Sequence, residues 1–396
     1  MPIEKGSLSG IRILDLSNVV SGPMATQILA DQGADVIKVE APSTGDISRM
    51  VGANRNGVSA LFTVLNRNKR SICVDLKTEK GLKLLRKLVK ESDVLVENFR
   101  PGAMDRLKLS YEDTKQINES LIYVSISGFG SDGPYHNRRV YDPVIQAICG
   151  YADTQGSEKP ELVRNLICDK LTALTTSQAI TSGLFARERR ENRSGELIEL
   201  SMLDASLAFL WPDGMWNHTF LGSGTVPMPS LGEIYRINAT KNGSIAYLVI
   251  SDLEWTGLCQ SLEIDSLIND SRFRDLPSRI KNIGIITKIL TDEFSKWNTA
   301  ELCERFDENQ VPFAVVNTLD MVMDDEQVLH NKSIGHFVHP KGGDIRYPNP
   351  PTIFSKSKTS IRFQAPELGQ HTESILKELE YSKTEIDALF DEATVA

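Results

Sequence analysis

An aspartate at the start of a predicted helix is the residue in this sequence best placed to act as a nucleophile. Asp169 follows Asn165-Leu166-Ile167-Cys168 and opens a helical pattern that runs to about Glu191. The amide dipoles at a helix start stabilise a carboxylate, so Asp169 is expected to stay ionised and nucleophilic. An ordinary N-cap aspartate is the commoner explanation of the same pattern. The residues alone leave both roles open.

A cluster of cations is a second feature with chemical potential. The chain of 396 residues has a formal net charge of −9, which argues against a general nucleic-acid or anionic-membrane binder. An acidic chain must therefore bind an anionic ligand through a local basic cluster. Arg67, Lys69 and Arg70 form such a cluster, whereas the lysines between Lys83 and Lys90 have the spacing of a solvated helix face. We expect the cluster at 67–70 to meet phosphates.

Several other kinds of site are not supported by the sequence. The five cysteines include no Cys-x-x-Cys pair, and His336 and His339 lack the further ligands that a metal site needs. The turn Ser17–Pro23 carries one glycine where a dinucleotide fingerprint needs three, and neither a Walker loop nor a Gly-x-Ser-x-Gly elbow occurs. No apolar segment is long enough to cross a bilayer. We expect a reduced, cytoplasmic enzyme with no metal and no permanently bound cofactor.

Alternating strands and helices must position these residues. The predicted strands are Ile11–Leu16, Val36–Val39, Ser71–Leu76, Asp93–Val96, Leu121–Ile126 and Leu197–Leu200. A helix is predicted after Pro23, Thr78 is a plausible N-cap for another, and Ser110 with Asp113 resembles a capping box. Such alternation predicts an α/β fold with a parallel sheet that is covered on both faces.

The composition also predicts two domains. Gly222–Ser230 is rich in small residues and proline, as linkers are. Two β-rich runs on either side of Thr240–Gly243 are a hairpin signal, and amphipathic helices follow them. We therefore place a small α+β domain at 226–328 and a large domain at 1–225 and 329–396.

A series of short motifs runs along nearly the whole chain in a characteristic order. The motifs are Leu8–Leu16, Ser21–Pro23, Gly33–Glu40, Gly45-Asp46, Asn66–Ser71, Val96–Gly102, Ile122–Gly130, Tyr141-Asp142, Gly195-Glu196, Asp204-Ala205 and Leu368–Thr372. Together they resemble the class III CoA-transferase family, also called the CaiB/BaiF family, which includes the α-methylacyl-CoA racemases. Each motif is short, but their number and order make the resemblance specific.

The resemblance implies both an architecture and a set of partners. It implies a Rossmann-like large domain formed from both chain ends, with a small inserted α+β domain. Two such chains interlock as a homodimer, with each active site between the large domain of one and the small domain of the other. Acyl-CoA and a small carboxylic acid are the implied substrates, and the sequence does not identify either one further.

The resemblance also assigns roles to individual residues. Asp169 stands at the position of the catalytic aspartate, which implies transfer through an aspartyl-CoA thioester. The residues implied to contact CoA are Val19, Val20, Lys38, Asn68, Lys69, Arg70, Asn98, Phe99, Arg106 and Arg139. The region Ser230–Glu233 lacks the glycine run of the formyl- and oxalate-type members, so no oxyanion donor is assigned there.

Two departures from the family bear on the reaction. Tyr141 replaces the histidine that racemases use to move an α-proton, and a free tyrosine has a pKa near 10, so transferase is favoured over racemase. Val20 stands where some relatives carry a glutamine, which suggests an acceptor less polar than oxalate. A racemase-type epimerase and a catalytically inactive CoA-binding paralogue are the alternatives.

Overall fold

The computed structural model of the chain describes residues 6–156 and 158–396, which form thirteen strands and seventeen α-helices. The strands are β1 (Arg12–Asp15), β2 (Asp35–Glu40), β3 (Asn54–Arg55), β4 (Val58–Ser59), β5 (Lys69–Cys73), β6 (Val94–Glu97), β7 (Ile122–Ser127), β8 (Glu196–Ser201), β9 (Arg236–Ala239), β10 (Ser244–Tyr247), β11 (Phe313–Val315), β12 (Ile334–His339) and β13 (Gly343–Pro348).

The helices provide the outer layers and the linking segments. They are α1 (Ser21–Asp31), α2 (Ala60–Leu65), α3 (Glu79–Lys90), α4 (Ala103–Arg106), α5 (Tyr111–Ile117), α6 (Asp142–Cys149), α7 (Tyr151–Gln155), α8 (Ile167–Arg189), α9 (Met202–Gly214), α10 (Leu231–Ile234), α11 (Asp252–Ser261), α12 (Leu276–Lys281), α13 (Ile283–Phe294), α14 (Thr299–Glu308), α15 (Glu326–His330), α16 (Thr372–Glu378) and α17 (Lys383–Asp391).

A six-stranded parallel sheet is the centre of the fold, as the alternating pattern predicts. Its strand order is β5-β2-β1-β6-β7-β8, and each neighbouring pair is parallel. The chain runs outward from β1 through β2 to β5, and from β6 through β7 to β8. The order therefore reverses between β1 and β6, and open α/β sheets bind their ligands outside the carboxyl ends of the strands at such a point.

Apolar side chains cover both faces of this sheet. On one face, Leu29 of α1 and Ile180 of α8 pack with alternate strand residues such as Ile13. On the other face, the leucines of α3 pack with Leu14 of β1 and with Ile375 of α16 near the C-terminus. The last helices thus complete a core that the N-terminal strands begin.

The chain divides into two compact units. The first unit extends up to Cys149 and also contains Leu162–Phe209 and Gln327–Ala396, whereas the second contains Gly150–Glu161 and Leu210–Glu326. The boundary that we placed after residue 225 from the linker composition thus lies later in the chain than the division at Leu210. The second unit already includes the end of α9.

The second unit has its own sheet and core. Strands β9, β10 and β11 form an antiparallel sheet in the order β11-β10-β9. The hairpin predicted around Thr240–Gly243 is confirmed by the pairing of β9 with β10. Its apolar core includes Trp255, Leu290 and Phe306 from the helices. In the described part of the chain, no helix is both long and apolar enough to cross a membrane.

Candidate active site

A cavity of about 280 Å³ lies in the first unit where the strand order reverses. The residues that follow β1, β6 and β7 form much of its wall, because the carboxyl ends of parallel strands meet at one edge of the sheet. The lining residues are Asn18, Val19, Ser21, Asn98, Phe99, Arg100, Pro101, Ile126, Ser127, Gly128, His136, Asn137, Arg138, Arg139, Val140, Tyr141, Asp169 and Met202.

Six of the sequence-predicted site residues line this cavity together. They are Val19, Asn98, Phe99, Arg139, Tyr141 and Asp169. Val20 is buried beside the cavity as the N-cap residue of α1, and Arg106 is exposed at the end of α4 without lining the wall. Lys38, Asn68, Lys69 and Arg70 lie elsewhere.

The loop between β1 and α1 is held in an unusual backbone conformation. Val19 has a φ angle of 71°, which is rare for a β-branched residue and is retained only where surrounding contacts enforce it. Two reciprocal hydrogen bonds supply such contacts. The backbone N–H of Asn18 donates to Oδ1 of Asn98 (2.8 Å), and Nδ2 of Asn98 donates to the carbonyl oxygen of Asn18 (2.8 Å). Asn98 therefore ties the loop after β6 to the loop after β1.

Lys38 positions the same loop from within the protein. Its side chain is fully buried, and its ammonium nitrogen lies 2.9 Å from Oδ2 of Asp46. Lys38 also donates a hydrogen bond to the carbonyl oxygen of Ser17 (2.8 Å), while Oδ1 of Asp46 accepts from the backbone N–H of Val19 (3.1 Å). Lys38 thus uses its charge in a buried ion pair and does not line the cavity, and its contact with CoA stays a prediction.

Lys69 has a similar structural role below α1. It is fully buried and donates to Oδ2 of Asp15 (2.9 Å), to Oδ1 of Asn66 (2.9 Å) and to the carbonyl oxygen of Pro23 (2.8 Å). Burial lowers the pKa of Lys69 to about 8, against the opposing effect of the nearby Asp15 carboxylate. All three protons of an ammonium group are thus engaged inside the protein. The contact of Lys69 with a phosphate stays a prediction, and the fold shows its ammonium group engaged with three internal acceptors.

The rest of the predicted phosphate cluster is engaged with carboxylates. Arg67 lies 2.7 Å from Asp31 in a buried pair, and the buried Asn68 donates to the same carboxylate (2.8 Å). Arg70 pairs with Asp35 (2.7 Å) and with Glu378 of α16 (2.6 Å). These contacts join distant segments of the first unit, and the role of the cluster at 67–70 in binding phosphates stays a prediction.

The cations at the cavity are instead Arg100, Arg138 and Arg139. All three are exposed, and none forms an ion pair among the described residues. Arg138 stacks on the ring of Tyr135, with 3.7 Å from its guanidinium carbon to the ring centroid. Uncompensated cations around a concave site attract anionic ligands. A basic cluster thus lines the cavity, and of its three arginines only Arg139 was predicted as a site residue.

Asp169 lies in the first turn of α8, as the sequence predicts, but its environment differs from the expectation. It is only 8% exposed, and burial together with the nearby Asp142 carboxylate raises its pKa to about 7. Hydrogen bonds from the backbone N–H and hydroxyl of Ser21 act in the opposite direction. The expectation that the helix start keeps Asp169 fully ionised is thus corrected, since desolvation outweighs the favourable donors.

Asp142, at the start of α6, accepts a hydrogen bond from a backbone N–H in the first turn of α8, which is the contact expected of a capping aspartate. Its Oδ2 accepts a hydrogen bond from the backbone N–H of Asp169 (3.0 Å), and its Oδ1 accepts from Nε2 of Gln146 (2.5 Å). The segment before Asp142 passes very close to the backbone of Gly128. A Cβ atom added at Gly128 would lie only 2.5 Å from Cγ1 of Val140. Gly128 therefore lets the chain before Asp142 pass directly over the end of β7.

Sequence reasoning missed four residues with clear roles at the cavity: Asn18, Ser21, Arg100 and Arg138. Ser21 and Arg100 lie inside motifs that the sequence analysis recognised, but only the fold shows that both side chains line the cavity. Two features could have pointed to them. Ser21 precedes Gly22-Pro23 at a helix start, and Arg100 follows a strand end that is adjacent to β1 in the sheet.

Comparisons with known proteins agree with this architecture. The model of CoA-transferase family III matches residues 8–372. The chain is 36% identical to a mouse (Mus musculus) protein named succinyl-CoA:glutarate CoA-transferase, over 96% of this chain and 88% of that protein. It is 31% identical to the formyl-CoA:oxalate CoA-transferase of Streptomyces coelicolor, over 93% and 94% of the two chains. A CaiB/BaiF family protein from Brucella suis superimposes with a TM-score of 0.82 at 32% identity, over 95% and 100%.

The chain belongs to CoA-transferase family III. It is a CoA-transferase enzyme, and the family inferred from the motifs is confirmed. Its relatives act on CoA thioesters, consistent with acyl-CoA as a substrate.

Proposed function

We propose that the enzyme moves CoA from an acyl-CoA donor to a small carboxylic acid through an aspartyl-CoA thioester on Asp169. One observation carries this proposal. Asp169 is a buried carboxyl group that lines a cavity at the switch point of the sheet, within a wall that also presents Arg100, Arg138 and Arg139. A nucleophile and an anion-binding surface thus share one site.

The proposed steps require no separate base. The Asp169 carboxylate attacks the donor thioester carbonyl, which forms a mixed anhydride and releases CoA as its thiolate. The thiolate then attacks the aspartyl carbonyl, which releases the donor acid and leaves the aspartyl-CoA thioester. The acceptor carboxylate attacks this thioester to give a second anhydride, and CoA thiolate attacks its acyl carbonyl to restore Asp169. Each nucleophile is already anionic.

The surroundings of Asp169 support this chemistry in two ways. With a pKa of about 7, about half of the carboxyl groups are ionised at neutral pH, and a more basic carboxylate is a better nucleophile. Burial keeps bulk water from the intermediates, which water would otherwise hydrolyse. The two donors of Ser21 orient the carboxylate without neutralising it.

For the substrates, we propose succinyl-CoA as donor and a short dicarboxylate such as glutarate as acceptor. The relative at 36% identity is named for this pair, whereas the one at 31% is named for formyl-CoA and oxalate. Val20 stands where some relatives carry a glutamine and is buried beside the cavity, which supports an acceptor with a methylene chain. A panel of small acids assayed with succinyl-CoA, acetyl-CoA and formyl-CoA tests this choice, and oxalate as the best acceptor would contradict it.

A racemase reaction is the alternative that Tyr141 argues against. The tyrosine lines the cavity but lacks a basic nitrogen, so it is a donor rather than a base at neutral pH. We expect negligible deuterium incorporation at the α-carbon of a 2-methylacyl-CoA in deuterated water. Rapid incorporation would assign the enzyme as a racemase.

We also propose that the enzyme is an obligate homodimer of interlocked chains, with the domains divided near 226 and 328. Large apolar side chains on α8 and α9 support an interface, since Leu174, Phe185, Phe209 and Trp211 are all exposed in the single chain. A native mass measurement at decreasing concentration tests this proposal. A stable and active monomer would contradict it.

A further inference from the structure

The start of α8 is capped by a side chain from another helix. The N-cap residue of α8 is Leu166, whose side chain has no oxygen that could accept from a backbone N–H of the first turn. The carboxylate of Asp142, on α6, supplies this acceptor to the backbone N–H of Asp169 (3.0 Å). The position of the proposed nucleophile therefore depends on where the carboxylate of Asp142 is held.

Gln146 holds that carboxylate from one turn further along α6. Its Nε2 donates to Oδ1 of Asp142 (2.5 Å), while Oδ2 of Asp142 accepts from Asp169. Asp142 and Gln146 are each only 2% exposed. The two oxygens of one buried carboxylate thus have separate donors on two helices, and together these donors fix the orientation of the carboxylate.

The same amide also holds the segment that leads into α8. Oε1 of Gln146 accepts from the backbone N–H of Val163 (2.8 Å). Nε2 also donates to the carbonyl oxygens of Val163 (3.3 Å) and Asn165 (3.2 Å), as a three-centre hydrogen bond does. The carbonyl oxygen of Asn165 in turn accepts from the backbone N–H of Ile167, the first residue of α8 (2.9 Å). Gln146 therefore joins the capping carboxylate to the backbone that enters the helix.

An amide side chain suits this set of partners. All partners of Nε2 are oxygen acceptors, whereas the partner of Oε1 is an N–H donor, so the orientation of the amide is unambiguous. A glutamate would place an oxygen against the carboxylate of Asp142, and an apolar residue would leave that buried carboxylate without a donor. Gln146 does not line the cavity, so it can affect the reaction only through the residues that it holds.

We propose that Gln146 is a positioning residue for the transfer reaction and acts on Asp169 through Asp142. The inference rests on the proposed role of Asp169 as the nucleophile. Gln146 holds the carboxylate of Asp142, and this carboxylate holds the first turn of α8. The turn sets the distance and angle at which Asp169 meets the thioester carbonyl. A misplacement of about 1 Å can reduce the rate of a reaction by about 100-fold.

The variant Gln146→Met tests this role, because it keeps the length of the side chain and removes its hydrogen bonds. At pH 8, where most of Asp169 is ionised, the single-turnover rate of donor thioester loss should fall about tenfold or more. The steady-state KM for acyl-CoA should change by less than about twofold, because Gln146 lies outside the cavity wall. A loss that appeared in KM alone would overturn the proposal.

A matched control separates positioning from stability. The buried Gln27 of α1 donates to Asp31, four residues further along the same helix, at 2.5 Å. Gln27→Met thus removes a hydrogen bond of the same kind in the same unit. It should lower the thermal midpoint about as much as Gln146→Met does and keep the native single-turnover rate. Equal rates for the two variants would overturn the proposal.

A double variant shows whether the effect passes through Asp142. Asp142→Asn already removes the charged acceptor, so the addition of Gln146→Met should lower the rate by less than about threefold. Losses that multiply, as they do for independent positions, would overturn the proposed route. If Gln146→Met does not fold, Gln146→Glu replaces it, since glutamate has the same size and keeps an acceptor for Val163. Gln146→Glu should show the same loss of rate at pH 8.

Hydroxylamine labelling distinguishes a failure of this inference from a failure of the proposed function. In Gln146→Met, the hydroxamate should still form on Asp169, but at the lower rate. If it forms equally fast in the variant and in the native enzyme, Gln146 is not a positioning residue and the aspartyl mechanism is unaffected. If the native enzyme gives no hydroxamate on Asp169, the aspartyl mechanism fails, and this inference fails with it.

Discussion

The backbone N–H of Asp169 donates a hydrogen bond to Oδ2 of Asp142 at 3.0 Å, which brings two buried carboxyl groups together at the start of α8. Asp142 thus takes the favourable contact with the helix amide, and Asp169 is left with a like charge nearby. Because a like charge disfavours ionisation, this arrangement raises the pKa of Asp169 in addition to the effect of burial. The proposed nucleophile is therefore expected to change its charge in the physiological pH range.

The first prediction is that formation of the acyl-enzyme rises with pH through about 7. Only the ionised carboxylate attacks, and the raised pKa means that the reactive form is lost as the pH falls through about 7. The single-turnover rate at saturating succinyl-CoA should be about ten times lower at pH 6 than at pH 8. Rapid-quench measurement of donor thioester loss checks this. A rate that is flat from pH 5.5 to 8 would show a nucleophile with an ordinary carboxyl pKa.

The second prediction is that two neighbouring variants move this profile in opposite directions. Asp142→Asn removes the like charge and should shift the acidic limb to lower pH. Ser21→Ala removes one donor to the carboxylate and should shift the limb to higher pH, while its backbone N–H remains. The same single-turnover profile measures both. Shifts in the same direction would show that the substitutions act through folding rather than through the charge at Asp169.

The third prediction distinguishes the buried Lys38 from the exposed arginines that line the cavity, by their effects on stability and on CoA binding. Lys38→Met leaves the Asp46 carboxylate buried without its partner, so it should lower the free energy of unfolding by about 3–5 kcal/mol. The double variant Lys38→Met/Asp46→Asn should recover much of this loss. Arg139→Gln should instead weaken CoA binding about tenfold and leave the thermal midpoint unchanged.

Urea unfolding and CoA titration measure these two effects, with Arg274→Gln as a control for the loss of an exposed arginine. If Lys38→Met folded with native stability and lost only its affinity for CoA, the contact with CoA that the resemblance implies for Lys38 would be supported.

The fourth prediction concerns the loop that Asn98 ties to Asn18. Asn98→Ala removes both reciprocal hydrogen bonds, so it should reduce stability by about 1–3 kcal/mol and release the strained backbone at Val19. We expect the KM for acyl-CoA to rise about tenfold with a smaller change in kcat. Asn192→Ala, at an exposed turn, is the control. An unchanged KM would show that these two hydrogen bonds do not position the loop for binding of acyl-CoA.

Much of the fold could be predicted because its signals are local. The apolar runs of the parallel strands, the Thr78 cap and the Ser110–Asp113 capping box are each set by a few neighbouring residues, and the structure confirms all of them. The buried face of α8 is not set by such local signals. Leu171 and Leu184 are buried, but the equally apolar Leu174 and Phe185 are exposed in the single chain.

The roles of the candidate site residues were harder to predict because their partners are distant in sequence. The carboxylates that engage Lys69 and Arg70 are Asp15, Asp35 and Glu378, and no local pattern shows that they meet. The pKa of Asp169 likewise depends on Asp142, which lies on another helix. A cluster of cations in the sequence therefore could not be distinguished from a set of buried ion pairs until the fold was known.

The most direct test of the account is chemical labelling of Asp169. Enzyme mixed with donor acyl-CoA is treated with hydroxylamine, which should convert this one side chain to a hydroxamate on the peptide that contains Cys168-Asp169-Lys170. Mass spectrometry of that peptide is the measurement. Asp142→Asn should still be labelled at Asp169, whereas Asp169→Asn should lose both labelling and transfer but still bind CoA. Near-native exchange by Asp169→Asn, or a hydroxamate on a different residue, would contradict the aspartyl mechanism.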